Sequence, residues 1–117
     1  MIEGQCLCGE VKFRFHGTPE YLNECNCGAC RRYATLWAYG DHDTIEIEHG
    51  EMVVYFRNDK TLGFYSCAKC GCTTHWDGAE PGYRGRRAVN MRLAEPEDIK
   101  DIRIRHFDGR NTWTYLD

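Results

Sequence analysis

The sequence predicts a mainly β fold, on three observations. Apolar residues recur at every second position in short segments, polar or glycine-containing breaks separate those segments, and eight cysteines gather in three tight groups of the kind that staple small folds. In chain order, Val11, Phe13 and Phe15 alternate with Lys12, Arg14 and His16, the period-two pattern of a half-buried strand. His16-Gly17-Thr18-Pro19 ends it. Ile45 and Ile47 alternate with glutamates, His49-Gly50-Glu51 breaks the chain, and Met52 to Phe56 is a short apolar run. Asn58-Asp59-Lys60 marks a turn before the apolar segment Leu62 to Tyr65, and the stretch from Asp77 to Gly82 marks another. Glu95-Pro96-Glu97-Asp98-Ile99 alone reads as a helical turn, with proline early and acids in the first turn. Ile102 and Ile104 then alternate with arginines, and Asp108-Gly109-Arg110-Asn111 breaks the last pattern. Without linkers, long repeats or low-complexity tails, residues 1–117 are expected to form a single domain.

Charge and hydropathy narrow the function classes. The formal net charge is −3 with both signs mixed along the chain, and no basic stripe points to nucleic acid. No apolar run is long enough to cross a bilayer, and Met1-Ile2-Glu3-Gly4-Gln5-Cys6 lacks both the basic and the apolar stretch of a secretory signal. The expectation is a cytoplasmic protein away from membranes, whose thiols stay reduced and available to metal.

The cysteine groups are Cys6/Cys8, Cys25/Cys27/Cys30 and Cys67/Cys70/Cys72. CxC and CxxC spacings crowd sulfurs around one point, as metal ligands require, whereas disulfide partners need a specific separation and torsion. Gly9 and Gly71 directly follow Cys8 and Cys70, where a positive φ lets a tight turn aim backbone N–H groups at thiolates. Zinc, up to two ions per chain, is the expected metal. Local spacing favours joining Cys6/Cys8 with Cys27/Cys30, as in a zinc ribbon. The alternative joins the two glycine-followed pairs, Cys6/Cys8 with Cys67/Cys70, and leaves Cys25-Asn26-Cys27-Gly28-Ala29-Cys30 as a three-sulfur tripod on one loop, with a fourth coordination position open.

The ordered motifs Gly4-Gln5-Cys6-Leu7-Cys8-Gly9-Glu10-Val11-Lys12-Phe13, Cys25-Asn26-Cys27-Gly28-Ala29-Cys30-Arg31-Arg32 and Cys67-Ala68-Lys69-Cys70-Gly71-Cys72-Thr73-Thr74-His75-Trp76 resemble the glutathione-dependent formaldehyde-activating enzyme family, also called the centromere protein V family. Val89 to Leu93 and Asp108-Gly109 to Trp113 look like its later landmarks. The resemblance implies a small fold of coiled antiparallel β-sheets. It implies Cys6, Cys8, Cys67 and Cys70 as ligands of a structural zinc and Cys25, Cys27 and Cys30 as ligands of a catalytic zinc. It further implies a carbon–sulfur lyase whose thiol is glutathione and whose small aldehyde is formaldehyde, joined as S-hydroxymethylglutathione.

The donor set suits that chemistry. Zinc held by three thiolates is a weak Lewis acid but a good host for another soft sulfur, and a thiol that loses its proton becomes the stronger nucleophile. Glutathione carries two carboxylates, for which Arg31 and Arg32 beside the tripod are the first candidate partners, with Arg57 and the Arg84/Arg86/Arg87 group behind them. Tyr33, Trp37 and Tyr39 read either as core aromatics on a strand or as the wall of a pocket for a bulkier or flatter ligand. Cys72 reads as a small buried apolar side chain rather than a ligand, and His75 as a core or surface histidine rather than a proton shuttle. The competing function is a non-catalytic zinc-stapled binding or sensor module.

Overall fold

The computed structural model describes residues 1–57, 60–80 and 82–117. Asn58, Asp59 and Pro81 lie outside the described residues, so the turns expected there are described only in part. Among the described residues the strands form two sheets, of three and seven strands.

The small sheet orders β1 (Ile2–Gln5), β2 (Lys12–Phe15) and β5 (Ile45–Glu48) as β1-β2-β5, all antiparallel. Its register pairs Lys12 with Glu48, Arg14 with Glu46, Phe13 with Ile47 and Phe15 with Ile45, so charges of opposite sign meet on one face and apolar side chains on the other. The alternation read in both segments is therefore the pleat itself.

The large sheet runs β10-β3-β4-β9-β8-β7-β6. Its strands are β3 (Tyr21–Cys25), β4 (Trp37–Asp41), β6 (Met52–Phe56), β7 (Leu62–Cys67), β8 (Thr73–Gly78), β9 (Arg86–Asn90) and β10 (Arg103–Phe107). Its neighbours are antiparallel except β10 and β3, which run parallel, so the architecture is mixed at one edge. The expected strands at residues 52–56 and 62–65 form, but the apolar run Val53 to Phe56 lies exposed on the outermost strand instead of in the core.

Both faces of β3, β4 and β9 are covered. Leu22, Ala38 and Val89 turn toward the small sheet and pack with Phe13, Phe15 and Ile45 in one core, all nearly or wholly inaccessible to solvent. Trp37 and Ala88 turn the other way and pack with Leu62, Phe64 and Trp76 in a second core. Period two thus assigns alternate residues of one strand to two different interiors.

Among the described residues two α-helices and a 3-10 turn, Met91–Leu93, interrupt the strands. The turn expected at Glu95–Ile99 is α2 (Pro96–Ile99). A second helix, α1 (Gly28–Tyr33), corrects the expectation of a single helical turn and of a loop through the tripod. Its cause is local: Cys27 caps the helix, its sulfur accepting the Cys30 N–H, and no apolar periodicity announces it because Cys30 is the sole residue it buries. Among the described residues no helix is long and apolar enough to cross a membrane.

Candidate metal centres and the cavity between them and solvent

The first two cysteine turns to consider are hairpin tips. Residues 6–11 join β1 to β2, and residues 68–72 join β7 to β8. In each, the first cysteine closes the turn onto the carbonyl five residues on, Cys6 to Val11 and Cys67 to Cys72, both at 2.9 Å. Gly9 (φ +83°) and Gly71 (φ +80°) take the left-handed conformation expected of them. The small sheet supplies one tip and the large sheet the other. They meet so that the sulfurs of Cys6, Cys8, Cys67 and Cys70 all lie within 4.8 Å of one another. Cys8 and Cys67, 59 positions apart in sequence, approach to 3.6 Å. The pairing favoured by local spacing does not form, because Cys27 and Cys30 belong to the other group. Cys6 and Cys67 are buried with Val11, and an ion pair between Lys69 and Glu10 at 3.0 Å bridges the two tips outside. Cys72 packs beside the group without joining it, as a non-ligand would, but is half-buried instead of buried as expected.

Cys25, Cys27 and Cys30 form the second group, again with sulfurs within 4.8 Å of one another. β3 ends at Cys25, Cys27 caps α1 and Cys30 sits in its first turn, so one reversal of the chain delivers all three. N–H groups surround the sulfurs: Cys27 N donates to Cys25 at 3.5 Å, Cys30 N to Cys27 at 3.4 Å and Trp37 Nε1 to Cys30 at 3.2 Å. Gly109 passes directly over the tripod, and a Cβ there would stand 2.8 Å from the Cys25 sulfur and 3.1 Å from Cys27 Cβ. Asp108 fixes that loop, its carboxylate accepting from Asn26 Nδ2 at 2.9 Å and from the backbone of Asn111 and Thr112. The Asn26 hydrogen bond holds the Asp108 carboxyl below its ordinary range.

The donor set fits zinc at both places. Soft sulfurs converge on one point and backbone N–H groups aim at them, as thiolates require. Ionisation is divided unevenly within each group. Hydrogen bonds from the thiols of Cys25 and then Cys30 pull Cys27 down to about 2, while contacts with Cys25 and then Cys27 push Cys30 far up. Backbone N–H groups of Cys72 and Cys8 bring Cys70 to about 5. Several thiolates at one point repel, and a cation is what lets all of them ionise together.

Above the tripod lies a cavity of about 330 Å³. Tyr21, Asn23 and Cys25 face it from alternate positions of β3, and Trp37 and Tyr39 from β4. Phe64, Trp76 and Tyr83 make a second wall, and Phe107, Trp113 and Tyr115 a third. Both readings of Trp37 and Tyr39 hold at once: they are packed strand aromatics and they line the cavity, whereas Tyr33 packs against Phe64 behind it. Asn23 is buried, donates to the Tyr39 hydroxyl and leaves its own carbonyl oxygen unpartnered. Burial raises Tyr39 and pushes Tyr115 up to about 12, so both hydroxyls stay protonated at neutral pH.

The arginines divide. Arg57 and Arg86 line the aromatic cavity. Arg87 is bound to Asp77 through two hydrogen bonds, at 2.6 and 3.1 Å, and to the Ile45 carbonyl. Arg31 lines a second cavity, which reaches Cys25 and Cys30 from another side together with Arg92 and His106. Arg32 is exposed and donates to the Gly28 carbonyl at 3.0 Å. His75 is buried away from the cavity lining, hydrogen-bonded to Thr74 and stacked on Tyr65, as a core histidine would be. Sequence reading missed Tyr21, Asn23, Trp76, Tyr83, Phe107 and Tyr115; the alternation Tyr21/Asn23/Cys25 was the available signal.

A family model described as glutathione-dependent formaldehyde-activating enzyme matches residues 1–102. The chain belongs to that family. A Halomonas elongata protein provisionally named a glutathione-dependent formaldehyde-activating enzyme is 37% identical over an alignment 57 residues long that covers 44% of this chain and 36% of that protein. The aligned part thus spans little more than a third of that relative's length. A crystal structure of a Rhodobacter sphaeroides protein superposes with a TM-score of 0.69 over 88% of this chain and 99% of the other, at 21% identity, and shares the fold. The family match ends before β10, so Phe107, Gly109, Trp113 and Tyr115, the third wall and the strap over the tripod, lie beyond the matched residues.

Proposed function

We propose that this chain is a single-domain cytosolic zinc protein of the carbon–sulfur lyase type, acting on the adduct of a thiol such as glutathione with an aldehyde. Cys6, Cys8, Cys67 and Cys70 would hold a structural zinc, and Cys25, Cys27 and Cys30 a zinc at the reaction site. The observation that carries the reading is the position of the three-sulfur group at the cavity: among the described residues it has three ligand side chains, and it faces a space large enough for a substrate. Zinc there would take up a substrate thiol and favour its ionised form.

The chain's own groups do the rest. Formation of the adduct joins the thiol sulfur to the carbonyl carbon and moves the thiol proton to the carbonyl oxygen; the reverse reaction undoes both. Tyr39 and Tyr115, held protonated, are donors to the oxygen that gains charge when the C–S bond forms. Trp37 and the N–H groups of Cys27 and Cys30 fix the sulfurs, and Asp108 fixes the strap carrying Gly109 and Trp113. Arg86 on the aromatic side and Arg31 on the second cavity would be the first cations to receive carboxylates, with Arg57, already hydrogen-bonded to Thr61, beside them. Arg32, exposed and bonded to the Gly28 carbonyl, would reach a carboxylate only from the solvent side. The aromatic lining favours a partner bulkier than formaldehyde on at least one side of the adduct.

Cobalt-substituted protein tests this reading. Glutathione should change the visible absorption and S-methylglutathione should do so far less, and the protein should accelerate exchange between free aldehyde and adduct in NMR spectra. A spectral response without acceleration would favour the binding or sensor module, and no response at millimolar glutathione would defeat the enzyme reading.

A further inference from the structure

The tripod stands between two cavities of unlike character, and Cys25, Cys30 and Phe107 line both. The first, about 330 Å³, is walled by aromatic rings, and among the described residues no carboxylate lines it. Of its two cations, Arg57 donates to Thr61 Oγ1 at 3.1 Å and Arg86 lies over the Tyr83 ring, 5.2 Å from the centroid. The second, about 500 Å³, carries charge of both signs, Arg31 and Arg92 with Glu24 and Asp117. A thiol such as glutathione brings two carboxylates and an ammonium group. The second cavity holds partners for both signs, whereas the aromatic one would strip water from the ammonium and offer no counter-ion. With the thiol's charged parts on the second side and its sulfur at the tripod, the aromatic cavity is left for the other half of the adduct, the substituent of the aldehyde.

We infer that the aldehyde is an aromatic one, of the benzaldehyde type, an inference that rests on the thiol–aldehyde reading above. Formaldehyde has no substituent and would leave the rings facing water, while the space falls in the range of about 300 to 1,000 Å³ typical of sites for small organic ligands. Ring geometry favours an aryl group over an alkyl one. Tyr21 and Tyr115 meet at 86° with centroids 5.8 Å apart, and Phe107 and Trp113 at 79° with centroids 5.1 Å apart, so the cavity presents ring edges beside ring faces. A flat ring gains edge-to-face and offset contacts there, whereas an alkyl chain gains burial alone. Phe107, Trp113 and Tyr115 also lie beyond residue 102, so the match to a formaldehyde-activating enzyme does not extend to this wall. The step balances without an oxidant or reductant: the sulfur bonds to the carbonyl carbon, the C=O π bond opens, and the thiol proton ends on the oxygen of the hemithioacetal.

Calorimetric titration of the zinc-loaded full chain with three stable thioethers tests the proposal, because they share one peptide and differ only in what the sulfur carries. S-benzylglutathione should bind about tenfold or more tighter than S-methylglutathione, and tighter than S-hexylglutathione. Exchange between free aldehyde and glutathione adduct, followed by NMR, should be accelerated over the uncatalysed rate more for benzaldehyde than for formaldehyde. Trp113→Ala removes a ring that is 61% exposed, and Tyr83→Ala removes one from another wall and serves if the first variant folds poorly. Each should shrink the benzyl-to-methyl ratio several-fold. Equal affinities for the benzyl and methyl compounds, a hexyl compound bound as tightly as the benzyl one, a ratio indifferent to both substitutions, or formaldehyde exchange accelerated at least as strongly as benzaldehyde exchange overturns the aromatic aldehyde and leaves the thiol–aldehyde reading standing. No binding of any thioether together with no acceleration for either aldehyde removes that reading and this inference with it.

Discussion

The two cysteine groups offer the same donor atom, and with metal bound as proposed they would end in opposite states, one closed and one open. The four-sulfur group is assembled from two hairpin tips on different sheets, so each sheet contributes a CxC or CxxC pair and the donors surround the centre. The three-sulfur group comes from one reversal of the chain, and a single reversal can approach a point from one side only. The other side is left to the aromatic cavity. Long-range assembly would make a staple of a bound metal, and local assembly would leave room for a ligand.

The largest expected effect breaks the comparison at its closed end. Cys6→Ser or Cys70→Ser should remove the tie between the two sheets, and with it most of the apparent binding free energy of about 10 kcal/mol that a structural zinc lends to folding. Circular dichroism should lose its β signature, as it should on treatment with a strong chelator; a native spectrum at zero metal would refute the structural role. Next, Cys27→Ser and Gly109→Ala should strike the open end alone. The first deletes a donor, and the second pushes a methyl group to 2.8 Å from the Cys25 sulfur. Each should lower metal content by about one equivalent per chain and abolish adduct exchange while the spectrum remains native. If Cys27→Ser unfolds the chain as Cys70→Ser does, the two groups do not differ as proposed.

A pH profile sharpens the comparison on the hairpin that carries the closed group. His75 is buried and its pKa is lowered to about 4, chiefly by desolvation. As pH falls below its ordinary value of 6.5 the unfolded chain takes the proton before the native one does, so stability should decline between about pH 6.5 and 4 and level off below. The loss should approach ~3 kcal/mol, and His75→Leu should flatten that part of the curve in denaturant titrations at constant zinc. The smallest effect belongs to Trp37→Phe, which removes the N–H donated to Cys30 and should weaken metal binding at the open group by roughly tenfold in a chelator competition, leaving the closed group unchanged.

What the sequence determined by itself is what depends on near neighbours. Lys12 to Phe15 and Ile45 to Glu48 were legible because alternation needs only one buried face. The left-handed glycines were legible because the turn they serve spans a few residues, and the tripod because its three cysteines lie within six positions. β3, β4, β8 and β9 are buried on both sides or carry site residues, so their period-two signal is blurred by apolar and polar residues serving two interiors. The residue types alone left two pairings open; the family resemblance implied one of them, and the tertiary structure is what brings Cys6 and Cys8 to Cys67 and Cys70. It also decided that residues 107–115 come back over the tripod as its third wall. Both depend on loop closures between distant segments, whose geometry is fixed by how the two sheets pack and leaves no trace in any short window of the chain.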